Sequence, residues 1–169
     1  MLTHKKLFNE VIEKFHGEYP TPVVAIAEKL GISVVEKDFD NTDFYGEISK
    51  DDDNKYTISI NSKSDAPRIR NTVAHEIGHF VKHEDFFQKH NVISDVKLNF
   101  KKGGYTELEL IQEDEANEFA IELLVPKKQA FKMLTEGKTI QEIAHTFIVP
   151  EATVILSIGW DVGLANWED

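Results

Sequence analysis

The stretch Asn71-Thr72-Val73-Ala74-His75-Glu76-Ile77-Gly78-His79-Phe80-Val81 holds a His-Glu-x-x-His motif. On a helix, residues four apart share a face, so His75 and His79 can point at one metal ion. Glu76 stands one position round from His75. It can reach a water on the same ion and act as general base, which is the arrangement for metal-assisted hydrolysis. Val73, Ala74, Ile77, Phe80 and Val81 are apolar and predict a buried helix. Two imidazoles and a carboxylate in a core are costly unless something satisfies them. A chance pentapeptide on a surface helix would not need those apolar flanks.

Catalytic zinc sites usually take three protein ligands plus water. Glu107, Glu109, Glu113, Glu115 and Glu118 crowd a later stretch, most of them as solvated helix charges. Glu113 and Asn117 are four apart and close to an apolar stripe, so Glu113 can bind metal while Asn117 supports a ligating His. Glu115 is the second candidate, without a polar partner four residues on. His83 continues the face of His75 and His79. Helical rise puts His75 and His83 about 12 Å apart, whereas zinc–nitrogen bonds are about 2 Å. His83 therefore reads as a supporting or helix-end residue. His4, His16, His90 and His145 have no such company and read as surface residues.

Composition narrows the choice of ligands and partners. The chain has 169 residues, enough for one domain or one domain with a small appendage. It is 41% hydrophobic and 29% charged, an ordinary globular balance. With no cysteine, disulfides and thiolate zinc sites are excluded and any metal must use His and carboxylate. The net charge of −11 repels a nucleic-acid backbone and favours basic or neutral partners. Met1 to Phe8 contains no apolar run suited to a signal peptide, and no stretch reaches membrane length. A soluble, cytoplasmic protein is expected.

The elements that must carry these residues follow in order. Apolar spacing predicts a helix over Leu2 to Phe15, and Pro22 opens a second one that runs through Leu30 to Gly31. Ile32 to Val35, Phe44 to Ile48 and Tyr56 to Ile60 read as strands. The last two are joined by Asp51-Asp52-Asp53-Asn54. This acidic turn lacks the Gly and distal Glu of a calcium loop and reads as a solvated hairpin. Tyr56 to Ile60 is the candidate edge that would hold an extended peptide by main-chain hydrogen bonds. The motif helix spans about Arg68 to His83. Glu84 to Thr106 has no clear period and reads as a lid or wall of a cleft, with Tyr105 a candidate oxyanion stabiliser. A strong helix returns from Glu107 to Val125 and ends at Pro126, followed by a short helix over Lys127 to Thr135. Thr139 to Leu156 reads as helix, turn, helix. Its second helix has no Lys or Arg, so DNA binding is not expected.

Val73-Ala74-His75-Glu76-Ile77-Gly78-His79, followed by Glu113-Asp114-Glu115-Ala116-Asn117-Glu118-Phe119-Ala120-Ile121-Glu122-Leu123-Leu124-Val125-Pro126, resembles the ImmA/IrrE family of zinc peptidases. The likeness runs from about Val23 to Ile158 and is nearest to the anti-repressor proteases of mobile elements and phages. It implies an α+β fold: a thermolysin-like zincin core with a small mixed sheet and helices, over residues 1–135, plus a C-terminal helical pair over 136–169. It implies one zinc ion held by His75, His79 and Glu113, with Glu76 as catalytic base. It further implies cleavage of a helix-turn-helix repressor, relieving repression. Longer members carry a sensor-like domain after the helical pair, and this chain is too short for one. The rival expectation is a zinc-stabilised binding protein that sequesters a transcriptional regulator without hydrolysis.

Overall fold

Thr3 caps the first helix: its hydroxyl accepts from the Lys6 amide, and α1 (His4–Ile12) follows. The computed structural model describes residues 3–40, 44–88, 92–96 and 106–159. After α1 come α2 (Val23–Lys29) and three strands, β1 (Ile32–Lys37), β2 (Phe44–Lys50) and β3 (Tyr56–Asn61). The motif helix α3 (Ala66–Lys82) leads to β4 (Val92–Val96) and the long helix α4 (Glu107–Leu124). The last described elements are α5 (Lys127–Thr135), α6 (Ile140–Phe147) and α7 (Glu151–Gly159). The fold is α+β, with seven α-helices and a four-stranded mixed sheet among the described residues.

The sheet order is β1-β3-β2-β4. β1 runs parallel to β3 with Val34 opposite Ile58, and β2 runs antiparallel to β3 with Ile48 opposite the same Ile58. This corrects the expectation that Tyr56 to Ile60 forms a free edge. β3 has a strand on each side, and Ile58, Ser59, Ile60 and Asn61 are all buried. A strand covered on both faces belongs in the middle of a sheet. Among the described residues the outer strands are β1 and β4. β4 lies in the stretch that sequence left unread and pairs antiparallel with β2.

α3 sits between this sheet and α4. Asp65 caps it by accepting from the Arg68 amide at 2.9 Å, and Pro67 occupies its first turn. Ten consecutive residues, Thr72 to Val81, are buried. A helix buried all round has neighbours on every side. On the sheet side the approach is so close that a Cβ on Gly46 would stand 2.5 Å from Thr72 Cγ2 and 2.8 Å from the Ser59 carbonyl. α4 starts with a capping box between Thr106 and Glu109. A second box, Thr139 with Glu142, starts α6.

The helical pair packs on this core. Ile143, Phe147 and Val154 belong to the same buried cluster as Val73 and Ile77. Ser157 Oγ donates to the Val125 carbonyl at 2.8 Å, and Arg70 Nη2 donates to the Phe147 carbonyl at 3.3 Å. No single helix among the described residues is long and apolar enough to cross a membrane.

Candidate metal centre

α3 presents His75 and His79 four residues apart, and α4 crosses it to present Glu113. What sets the crossing distance is Gly78. A Cβ there would lie 3.0 Å from the Ala116 carbonyl oxygen, 3.1 Å from Ala116 Cα and 3.2 Å from Phe119 Cδ1. The two nearest of these are backbone atoms of Ala116, which cannot swing aside. Gly78 precedes His79, and Ala116 comes one turn after Glu113, so this small-residue contact brings candidate ligands from two helices together. Gly78→Val is expected to push α4 off α3, destabilising the fold by about 1–3 kcal/mol and weakening metal binding. Urea unfolding and a zinc titration on the same variant would check this. Unchanged values of both would show that the contact does not set the spacing.

The donor atoms converge. His75 Nε2 lies 2.9 Å from His79 Nε2, Glu113 Oε2 lies 3.2 Å from His75 Nε2, and Glu113 Oε1 lies 3.6 Å from His79 Nε2. Ligands about 2.0–2.1 Å from one ion at tetrahedral corners stand about 3.3 Å apart. The three separations straddle that value, so the donor set fits a tetrahedral ion with one corner left for water. His75 and His79 are buried, as is Glu76 on the same turn.

Hydrogen bonds behind the rings decide which nitrogen faces the site. The His75 Nδ1–H donates to Asn117 Oδ1 at 3.0 Å, leaving the Nε2 lone pair turned inward. On the other side a two-step link runs outward from His79. His83 Nε2–H donates to Glu115 Oε2 at 3.0 Å, so its Nδ1 accepts the His79 Nδ1–H, also at 3.0 Å. His79 therefore also offers Nε2 to the site. The structure thus separates the two acidic candidates. Glu113 reaches the imidazole pair, while Glu115 holds His83.

Electrostatics matches this arrangement. Burial pushes the Glu113 carboxyl up, but in the metal-free protein, when a proton sits on the inward Nε2 atoms, hydrogen bonds from His75 and His79 outweigh it and bring it down to about 2. Burial, against a smaller opposing pull from Glu113, brings His79 down from 6.5 to about 4. Between those two values the unfolded chain carries a proton on this ring and the folded chain does not. The stability of metal-free protein should therefore rise with pH across that window, by on the order of 3 kcal/mol. Glu113 acts in the same direction at lower pH, its contribution being present above 4.5 and lost as pH falls through about 2. Unfolding of chelator-treated protein at several pH values would check this; a flat profile would contradict it.

Other expectations about single residues fare unevenly. His16 and His145 are exposed, but His4 is not a surface residue. Its ring stacks on Phe80 at 3.8 Å and its Nδ1 lies 2.8 Å from the Phe80 carbonyl, because α1 lies across the end of α3. His83 caps that same helix end. His90 and Tyr105 lie outside the described residues. Sequence reasoning missed the His83–Glu115 link. The signal was the face shared by His79 and His83, but Glu115 comes from another helix. It also missed the Gly78–Ala116 approach.

Fold and site together define a class: an α+β protein whose sheet-backed helix carries His-Glu-x-x-His and whose next long helix delivers a carboxylate to it. The chain belongs to the M78 peptidase family, whose IrrE N-terminal-like domain matches residues 27–157. No curated protein matches it. Among solved structures, a Mycobacterium tuberculosis transcriptional regulator is similar, with a TM-score of 0.55 and 18% identity over 89% of this chain and 43% of that one. At that identity the likeness is one of fold, and the present chain spans less than half of that regulator's length.

Proposed function

We propose that the protein is a zinc-dependent, site-specific endopeptidase with a zincin-like core. It acts in the cytoplasm on a helix-turn-helix repressor of a mobile element or phage and so relieves repression. The observation that carries this reading is the triangle of His75, His79 and Glu113 donor atoms, at 2.9, 3.2 and 3.6 Å, with Glu76 buried on the same helix as the two imidazoles. His75, His79 and Glu113 would hold one Zn2+. A bound divalent ion would supply a water of lowered pKa and polarise the scissile carbonyl.

The remaining chemistry falls to the chain. Glu76 takes a proton from the attacking water as its oxygen adds to the peptide carbonyl carbon. It then passes that proton to the departing amine as the C–N bond breaks. Asn117 and His83 keep both imidazoles turned Nε2-inward while this happens. Residues 1–135 form the peptidase domain in this reading, and the helical pair in 136–169 is an appendage to it.

Purified protein incubated with a candidate repressor, with and without chelator, should give metal-dependent fragments at one or a few positions by mass spectrometry. Intact repressor held in a stable complex would instead favour the sequestering protein.

A further inference from the structure

Beside the metal centre, α3, α4 and the start of α7 enclose an open groove of about 740 Å3. Its size is that of binding clefts, about 300–1,000 Å3. Asn117 lines it and also holds His75, so the groove begins directly behind a ligating ring. Its lining is one-sided in charge: Asp65, Asp114 and Glu118 face a single cation, Arg68. That guanidinium is already engaged over the Tyr45 ring, 4.3 Å from its centroid. Asp114 and Glu118, four apart on α4, are exposed. The far wall is apolar and includes Leu156, which leaves 48% of its surface open.

We infer that this groove docks a basic amphipathic segment of the protein substrate, with Lys or Arg against Asp114 and Glu118 and an apolar side chain against Leu156. The inference rests on the proposed peptidase reading and assigns the helical pair a part in it: α7 forms a recognition wall. Charge complementarity selects the occupant. A net −11 protein steers basic partners toward itself, and an acidic groove fixes where they settle. The chain's own last residues, 160–169, carry Asp161, Glu168 and Asp169 with no Lys or Arg, so they are a poor electrostatic match.

The test is fluorescence anisotropy on the full chain carrying Glu76→Gln, so that a bound peptide is not consumed. The probes are a labelled peptide of Leu and Lys at helical spacing and its Leu/Glu counterpart. The Lys peptide should bind and the Glu peptide should not. Asp114→Lys/Glu118→Lys should weaken binding about tenfold, and Leu156→Gln should weaken it severalfold. Asp52→Lys/Asp53→Lys makes the same change in net charge on the hairpin before β3, at the opposite end of that strand from Asp65 and the groove-lining start of α3. It should leave binding within about twofold, since exposed charges beyond a Debye length are screened. Equal loss in the hairpin variant would show mere attraction to an acidic protein and overturn the proposal. So would unchanged binding in the groove variants, as expected if another segment of the chain fills the groove. Peptide binding that survives while wild-type protein cleaves nothing would count against the peptidase reading and leave the docking site standing.

Discussion

Glu76→Gln is expected to bind zinc as the wild type does and to lose cleavage by about 10²–10⁴-fold. Gln has the shape of Glu and suits the same fully buried position on α3, so the helix and both imidazoles stay in place. What it loses is the ability to take a proton. The expected rate loss corresponds to about 3–5 kcal/mol of transition-state stabilisation, with little change in substrate binding. Rates with a fixed repressor and zinc content by mass spectrometry, measured on one preparation, separate the two effects. Wild-type cleavage by this variant would remove Glu76 from the chemistry. Relief of repression without any cleavage would shift the account to sequestration.

Glu113→Gln should have the second large effect, this time on the metal. The carboxylate lies 3.2 Å from His75 Nε2 and 3.6 Å from His79 Nε2 and stays ionised down to a pH of about 2. Removing its charge leaves two neutral rings as ligands. Loss of a supporting group behind a ligand typically costs about 10–100-fold in metal affinity, and loss of the ligand should exceed that. Glu115→Gln is the natural comparison, because Glu115 acts only through His83, at 3.0 Å. Its cost should stay within the range for a supporting group. If Glu115→Gln weakened zinc binding more than Glu113→Gln, the assignment of the third ligand would be reversed.

Much of the candidate site is legible in the chain because it lies on two helices. Period and burial are local properties there: His75 and His79 are four apart, and so are Glu113 and Asn117. The apolar flanks of α3 announce a helix buried all round. What is not legible depends on contacts between distant segments. Tyr56 to Ile60 alternates in the way an edge strand might, yet Ser59 and Asn61 on its other face are buried too, and only the pairing with β1 and β2 shows why. β4, Val-Ile-Ser-Asp-Val, has no period of two, and the paired strand is irregular between Phe44 and Gly46. His4 has no polar partner near it in sequence. Its partners, Phe80 and Glu84, lie more than seventy positions on. Gly78 gives no sign in isolation that a second helix must pass against it.

The central claim is that His75, His79 and Glu113 close around one divalent ion. Anomalous scattering at the zinc edge, from crystals of the full chain grown with zinc, tests it most directly. A single strong peak within about 2.0–2.2 Å of both Nε2 atoms and a Glu113 oxygen is the expected result. A peak held by Glu115 in place of Glu113, or no peak between the two rings, would contradict the account.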